Sequence, residues 1–112
     1  MKIATKKLGD VTVIDFQGRL ALGDTEEELS RAVSSLLDQG QTKILVDLSE
    51  VTYIDSSGLG ELVHGFRAAR DQGAQLKLLR PQDRVKQTLQ LSMLLPLFEI
   101  YENEDEALQS FN

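Results

Sequence analysis

Apolar and polar positions along the chain change their period several times, and each change marks an element. Residues 2–7 and 11–17 alternate as strands do, on either side of Gly9-Asp10, a dipeptide suited to a two-residue hairpin turn. In the second strand Val11, Val13 and Asp15 share one face, and Ile14 and Phe16 share the other. The period then lengthens. Leu29, Ala32, Val33, Leu36 and Leu37 fall at i, i+3, i+4, i+7 and i+8, the stripe of an amphipathic helix. Asp24 or Thr25 can cap its start, Glu27 or Glu28 can complete a capping box, and Gly40 stops it. KILVDL (43–48) is a nearly continuous apolar run, the mark of a strand buried on both faces. Leu59, Leu62, Val63 and Phe66 then form the stripe of a second helix, which ends near Gln72-Gly73. QLKLL (75–79) reads as a strand, and Asp83 opens a third helix carrying Val85, Leu89 and Met93. Pro96 stops that helix, residues 97–101 form a short last strand, and residues 105–111 form a final short helix.

The order is β-β-α-β-α-β-α-β-α. Repeated β-α alternation requires crossover connections, which are right-handed and join parallel strands. The expected fold class is therefore α/β: a mixed, mostly parallel central sheet of four to five strands, with an N-terminal antiparallel hairpin, packed by four helices. Residues 1–112 read as one domain, without internal repeat, linker or low-complexity segment.

Composition narrows the class of function. At 41% hydrophobic residues the chain has material for a core, and with no tryptophan Leu, Val and Ile must build it. The absence of cysteine excludes a disulfide framework and thiolate metal sites. No apolar run approaches the ~18 residues of a membrane span, and MKIATKKLGD lacks the apolar stretch of a signal peptide. A cytoplasmic protein without membrane insertion is expected. A net charge of −6 opposes direct binding to nucleic acid or to anionic membranes.

The most informative stretch is DLSEVTYIDSSGLGEL (47–62). A strand leads through Val51, Tyr53 and Ile54 into a polar turn, and Asp55, Ser56 and Ser57 stand where Gly58 and Gly60 open the second helix. Helix N-terminal amides favour negative charge. A serine at that entrance can carry a phosphate without unfolding the domain, while a docked partner feels the change. The same residues also suit an ordinary N-cap, although two adjacent hydroxyls exceed what one cap requires.

Other chemistries find little support. The G-x-S-x-G elbow is missing, and His64, the single histidine, lies eight positions beyond Ser56, about 12 Å along the helix axis. It cannot serve Ser56 as a general base, so an enzyme is not expected. His64 falls off the apolar stripe, on the Gly60/Arg67/Asp71 side, as a surface residue that a partner can touch. Gly58-Leu59-Gly60 lacks the third glycine of a dinucleotide loop and the Lys-Ser/Thr of a P-loop. The acidic groups at 26–28 and 102–106 read as helix N-terminal charges rather than metal ligands, and no cofactor is expected.

Asp55-Ser56-Ser57-Gly58-Leu59-Gly60, preceded by DLSEVTYI, resembles the signature of the anti-sigma factor antagonists, the bacterial STAS-domain proteins. The likeness extends over nearly the whole chain, including Gly18 at the end of the second strand and the ILVDL strand. It implies a STAS-like fold and a switch. Members bind an anti-sigma factor that is also a serine kinase, are released when it phosphorylates the first hydroxyl, and are reset by a PP2C-type phosphatase. That hydroxyl here is Ser56, with Asp55, Ser57, Gly58, Leu59, Gly60, Arg19, Asp24 and His64 as the expected partner-binding set. One feature departs from the pattern. Many members carry an acidic residue after the glycine and an aspartate two positions later; here Arg19 and Ala21 stand there, and the loop runs on to Gly23-Asp24. The charge change bears on which partner is chosen. The resemblance also covers structural or regulatory STAS subunits of other complexes, including transporters and sensor-kinase pathways.

Overall fold

A computed structural model describes residues 2–21 and 28–111. The hairpin forms as expected: β1 (Lys2–Leu8) and β2 (Val11–Leu20) pair antiparallel about Gly9, whose φ of +65° suits glycine. Lys43 Nζ donates to Asp10 Oδ2 at 2.7 Å, and this bond holds the Asp10 carboxyl below its ordinary pKa. The chain continues through α1 (Glu28–Asp38), β3 (Lys43–Ile54), α2 (Ser56–Asp71), β4 (Gln75–Leu79) and α3 (Asp83–Leu91). A 3₁₀ turn (Leu95–Leu97), β5 (Ile100–Tyr101) and α4 (Glu104–Ser110) complete it.

The five strands lie in the order β1-β2-β3-β4-β5, and every pair after the first is parallel. The sheet buries both faces. Ile14, Phe16, Ile44, Val46 and Leu78 meet Leu29, Val33, Leu62, Val85 and Leu89 of the three longer helices. Val11, Val13, Leu45 and Leu79 meet Ala107 of α4 and Phe111 on the other side. The alternation read in β2 thus assigns its two faces correctly. In α1, Leu29, Val33, Leu36 and Leu37 are buried, and in α2 Leu59 and Leu62 are.

Four expectations change. Gly18 does not end β2: it sits at φ +108° beside a shift of register, and the strand runs on to Leu20. β3 likewise runs to Ile54, because the β-rich run VTYI pairs with the prolonged β2, Arg19 opposite Tyr53 and Leu20 opposite Ile54. Met93 is not in the core. α3 ends at Leu91, and Met93 follows the Ser92 cap at φ +60° and is 86% exposed. The last strand is only Ile100–Tyr101, because Pro96 favours the 3₁₀ turn ahead of it. The expected caps at Asp24, Thr25 and Glu27 lie outside the described residues.

Candidate functional site at the start of α2

β3 ends at Ile54, and the chain turns at Asp55, whose backbone is extended (φ −115°, ψ −172°). Its Oδ1 accepts from the Gly58 amide at 3.0 Å, and its carbonyl accepts from the Leu59 amide at 2.9 Å. Asp55 is thus the N-cap that short polar residues at this position allow. The amides of Ser56 and Ser57 are left in the first turn, outside the helical ladder, where the partial positive charge of the helix is concentrated. Both serines are exposed.

Two contacts fix the helix entrance against the sheet. The Asp55 amide donates to the Leu20 carbonyl at 3.3 Å, across the end of β2. Gly58 lies over the same carbonyl: a Cβ there would meet Leu20 O at 1.9 Å and Ile54 Cγ1 at 2.9 Å. Backbone therefore packs on backbone, and Leu59 beside it enters the core. Gly60, two positions on, faces outward with nothing within 4 Å of the corresponding point.

The prolonged ends of β2 and β3 place a second feature beside this turn. The Arg19 guanidinium lies 4.9 Å from the centre of the Tyr53 ring, and both side chains are exposed. Sequence reasoning singled out Arg19 but not its partner. Part of the signal was present, since Tyr53 belongs to a β-prone run continuous with β3, but it stands opposite Arg19 only because the register of β2 with β3 shifts twice along the pair.

Asp55, Ser56, Ser57, Gly58 and Leu59 are thus gathered at one turn, with Arg19 on the neighbouring strand. His64 is not at the turn. It is exposed two helical turns further on, in an open groove of about 560 Å³ lined by Gly60, Val63, Arg67 and Asp71. Asp24 lies outside the described residues. Between α1 and α2, Ser30 Oγ donates to Glu61 Oε2, a contact no sequence pattern announced. Among the described residues no cluster of three or more His, Asp or Glu could hold a metal ion, and no helix is long and apolar enough to cross a membrane.

Comparison with known proteins agrees with this architecture. The family model for the STAS domain matches residues 2–107. An anti-sigma-B factor antagonist of Listeria monocytogenes is 31% identical over 88 residues, which cover 75% of this chain and 77% of that protein. A Thermotoga neapolitana protein provisionally named an anti-sigma factor antagonist is 36% identical over 73 residues, and the match spans 65% of each chain. The crystal structure of a Thermotoga maritima protein, provisionally named in the same way, superposes with a TM-score of 0.89 at 26% identity, covering 97% of this chain and 93% of that one.

Proposed function

The chain belongs to the STAS domain family, and we propose that it acts as an anti-sigma factor antagonist whose grip on its partner is set by a phosphate on Ser56. It works by binding rather than by catalysis. The partner is an anti-sigma factor with serine-kinase activity in the bacterial cytoplasm, and a PP2C-type phosphatase restores the unmodified form. In the forward step the γ-phosphoryl group of ATP passes to Ser56 Oγ, which gives up its proton, and ADP leaves.

The observation that carries this reading is the placement of Ser56. It is exposed in the first turn of a helix that Asp55 caps and Gly58 clamps against the sheet. A phosphate adds about −1.5 to −2 charges at neutral pH. Within this chain the helix N-terminus favours that charge, so the fold tolerates it. In a complex, the same charge meets the docked surface beside Asp55, where desolvation and repulsion from an acidic or apolar patch oppose binding. A tenfold loss of affinity requires only ~1.4 kcal/mol. Ser57, Leu59 and Gly60 extend the docking face, and Arg19 on Tyr53 adds a cation to it, at a position that selects the partner.

The test is phosphopeptide mapping. The unmodified protein is used to capture its kinase, the two are incubated with ATP, and the modified residue is located by mass spectrometry. Phosphate on Ser56 is expected. Phosphate on Ser57 alone, or on neither serine, overturns the assignment.

A further inference from the structure

Ser56 and Ser57 share most of their surroundings. Both are exposed in the first turn of α2, both follow the Asp55 cap, and both lie where the helix favours an anion. What differs is the residue one turn below. Side chains four apart on a helix lie on one face, with Cβ atoms about 5–6 Å apart. Below Ser56 that position is Gly60, which has no side chain and opens outward. Below Ser57 it is Glu61. Helical side chains lean back towards the N-terminus, so the Glu61 carboxylate is carried towards Ser57. From Ser56 the same residue is five positions away, about 140° around the helix axis.

Glu61 is also held in place. It is half-buried between α1 and α2, where its Oε2 accepts from Ser30 Oγ. Its Oε1 is buried and accepts from no group among the described residues. The other titratable side chains lining that opening between the helices are Arg31, Asp38 and His64. A free surface carboxylate swings away from a new anion at little cost. Glu61 must first give up Ser30 and leave the helix pair, so a phosphate on Ser57 meets a charge that stays. That phosphate brings about −1.5 to −2 charges, and even single, exposed like charges four apart on a helix repel one another. A phosphate on Ser56 faces only the backbone at Gly60.

We propose, resting on the switch at Ser56 argued above, that Glu61 is the residue that sets the two serines apart. Its fixed carboxylate opposes a phosphate on Ser57, and the empty position at Gly60 leaves Ser56 as the serine that carries one without loss. Glu61 thus determines specificity from outside the turn: it makes one of two adjacent, equally exposed hydroxyls the place where charge is tolerated.

The test needs no kinase, so its failure is distinct from a failure of the Ser56 assignment: mapping locates a phosphate, whereas here it is placed. Phosphoserine is incorporated during synthesis at position 56 or at position 57, each in the parent chain and in Glu61→Gln. The glutamine keeps an acceptor for Ser30 and removes the charge. Melting is followed at about pH 8, where the phosphate carries its full charge. In the parent chain, phosphoserine at position 57 should melt roughly 2–6 °C below phosphoserine at position 56. The two chains have the same net charge, so the gap reads position alone. It should close in Glu61→Gln, and it should shrink in the parent chain as salt rises to about 1 M. A Glu61 that only bridges the helices would shift both modified chains alike and leave the gap open. Should Glu61→Gln fail to fold, the salt series on the parent chain carries the test. Equal melting of the two modified chains, a gap that survives Glu61→Gln, or a gap indifferent to salt would overturn the proposal.

Discussion

An added methyl at Gly58 would stand 1.9 Å from Leu20 O and 2.7 Å from Leu20 C, two backbone atoms that no rotamer change can move. Gly58→Ala must therefore lift the start of α2 off the strand end, and overpacking of this kind costs about 1–3 kcal/mol. For a domain of this size a melting temperature lower by roughly 5–20 °C follows. Gly60→Ala is the matched control. Its methyl enters open space, and alanine is the better helix former by about 1 kcal/mol, so its melting temperature should hold or rise. Equal melts for the two variants would refute the packing argument. In the sequence the two glycines form one G-x-G pattern. Positions two apart on a helix point about 200° from one another, so one faces the strand and the other faces out. That much was open to deduction. The carbonyl beneath Gly58 was not, because it belongs to Leu20, which reaches the helix only where β2 continues past the bulge at Gly18.

Among the elements, α4 depends most on a contact that no period reveals. It has seven residues, too few to hold a helix in isolation. Asn103 caps one end, accepting from the Glu106 amide at 3.0 Å. At the other end Lys77 of β4, only 4% exposed, donates from Nζ to Ser110 O at 2.9 Å and Ser110 Oγ at 3.0 Å, with the Phe111 ring centre 4.6 Å away. In the sequence Lys77 is merely one polar residue in the buried run QLKLL. Its role emerges only when the helix following β5 returns beneath the sheet. Lys77→Met keeps the stem and removes the bonds, so a loss of about 1–3 kcal/mol is expected, as for hydrogen bonds to a charged group. The loss should be local. Amide exchange across Glu104–Ser110 should quicken while that of α2 stays as it was; unchanged exchange in α4 would mean that Ala107 and Phe111 hold the helix without Lys77.

Taken whole, the molecule has a sheet whose strand order follows the chain; the succession of elements and the parallel sense of the central strands were legible because each crossover helix announced itself by its apolar stripe, whereas the order of the strands in the sheet was not read from the sequence. The length of the central pair escaped as well. The register of β2 with β3 shifts by one residue between Asp15 and Gln17 and by one more between Gly18 and Arg19, and such matching is settled by the two strands together, not by either alone. The outcome matters for function, since the prolonged strands carry Leu20 and Ile54 under the helix and set Arg19 on Tyr53 beside Ser56. The serine turn is thereby built on the rigid end of the sheet, and a charge placed there should be read by a partner rather than by the fold. Ser56→Asp takes the net charge from −6 to −7. An anion in the first turn is worth about 0.3–1 kcal/mol in favour of the helix, so the melting temperature should stay level or rise slightly. Affinity for the captured anti-sigma kinase should fall at least tenfold, a change of ~1.4 kcal/mol that appears only in the complex. A thermal melt and an isothermal titration separate the two effects. If the variant unfolds, charge at this turn disturbs the sheet after all. If it folds and binds as tightly as the parent, the turn is an N-cap and nothing more, and the proposed switch at Ser56 is refuted.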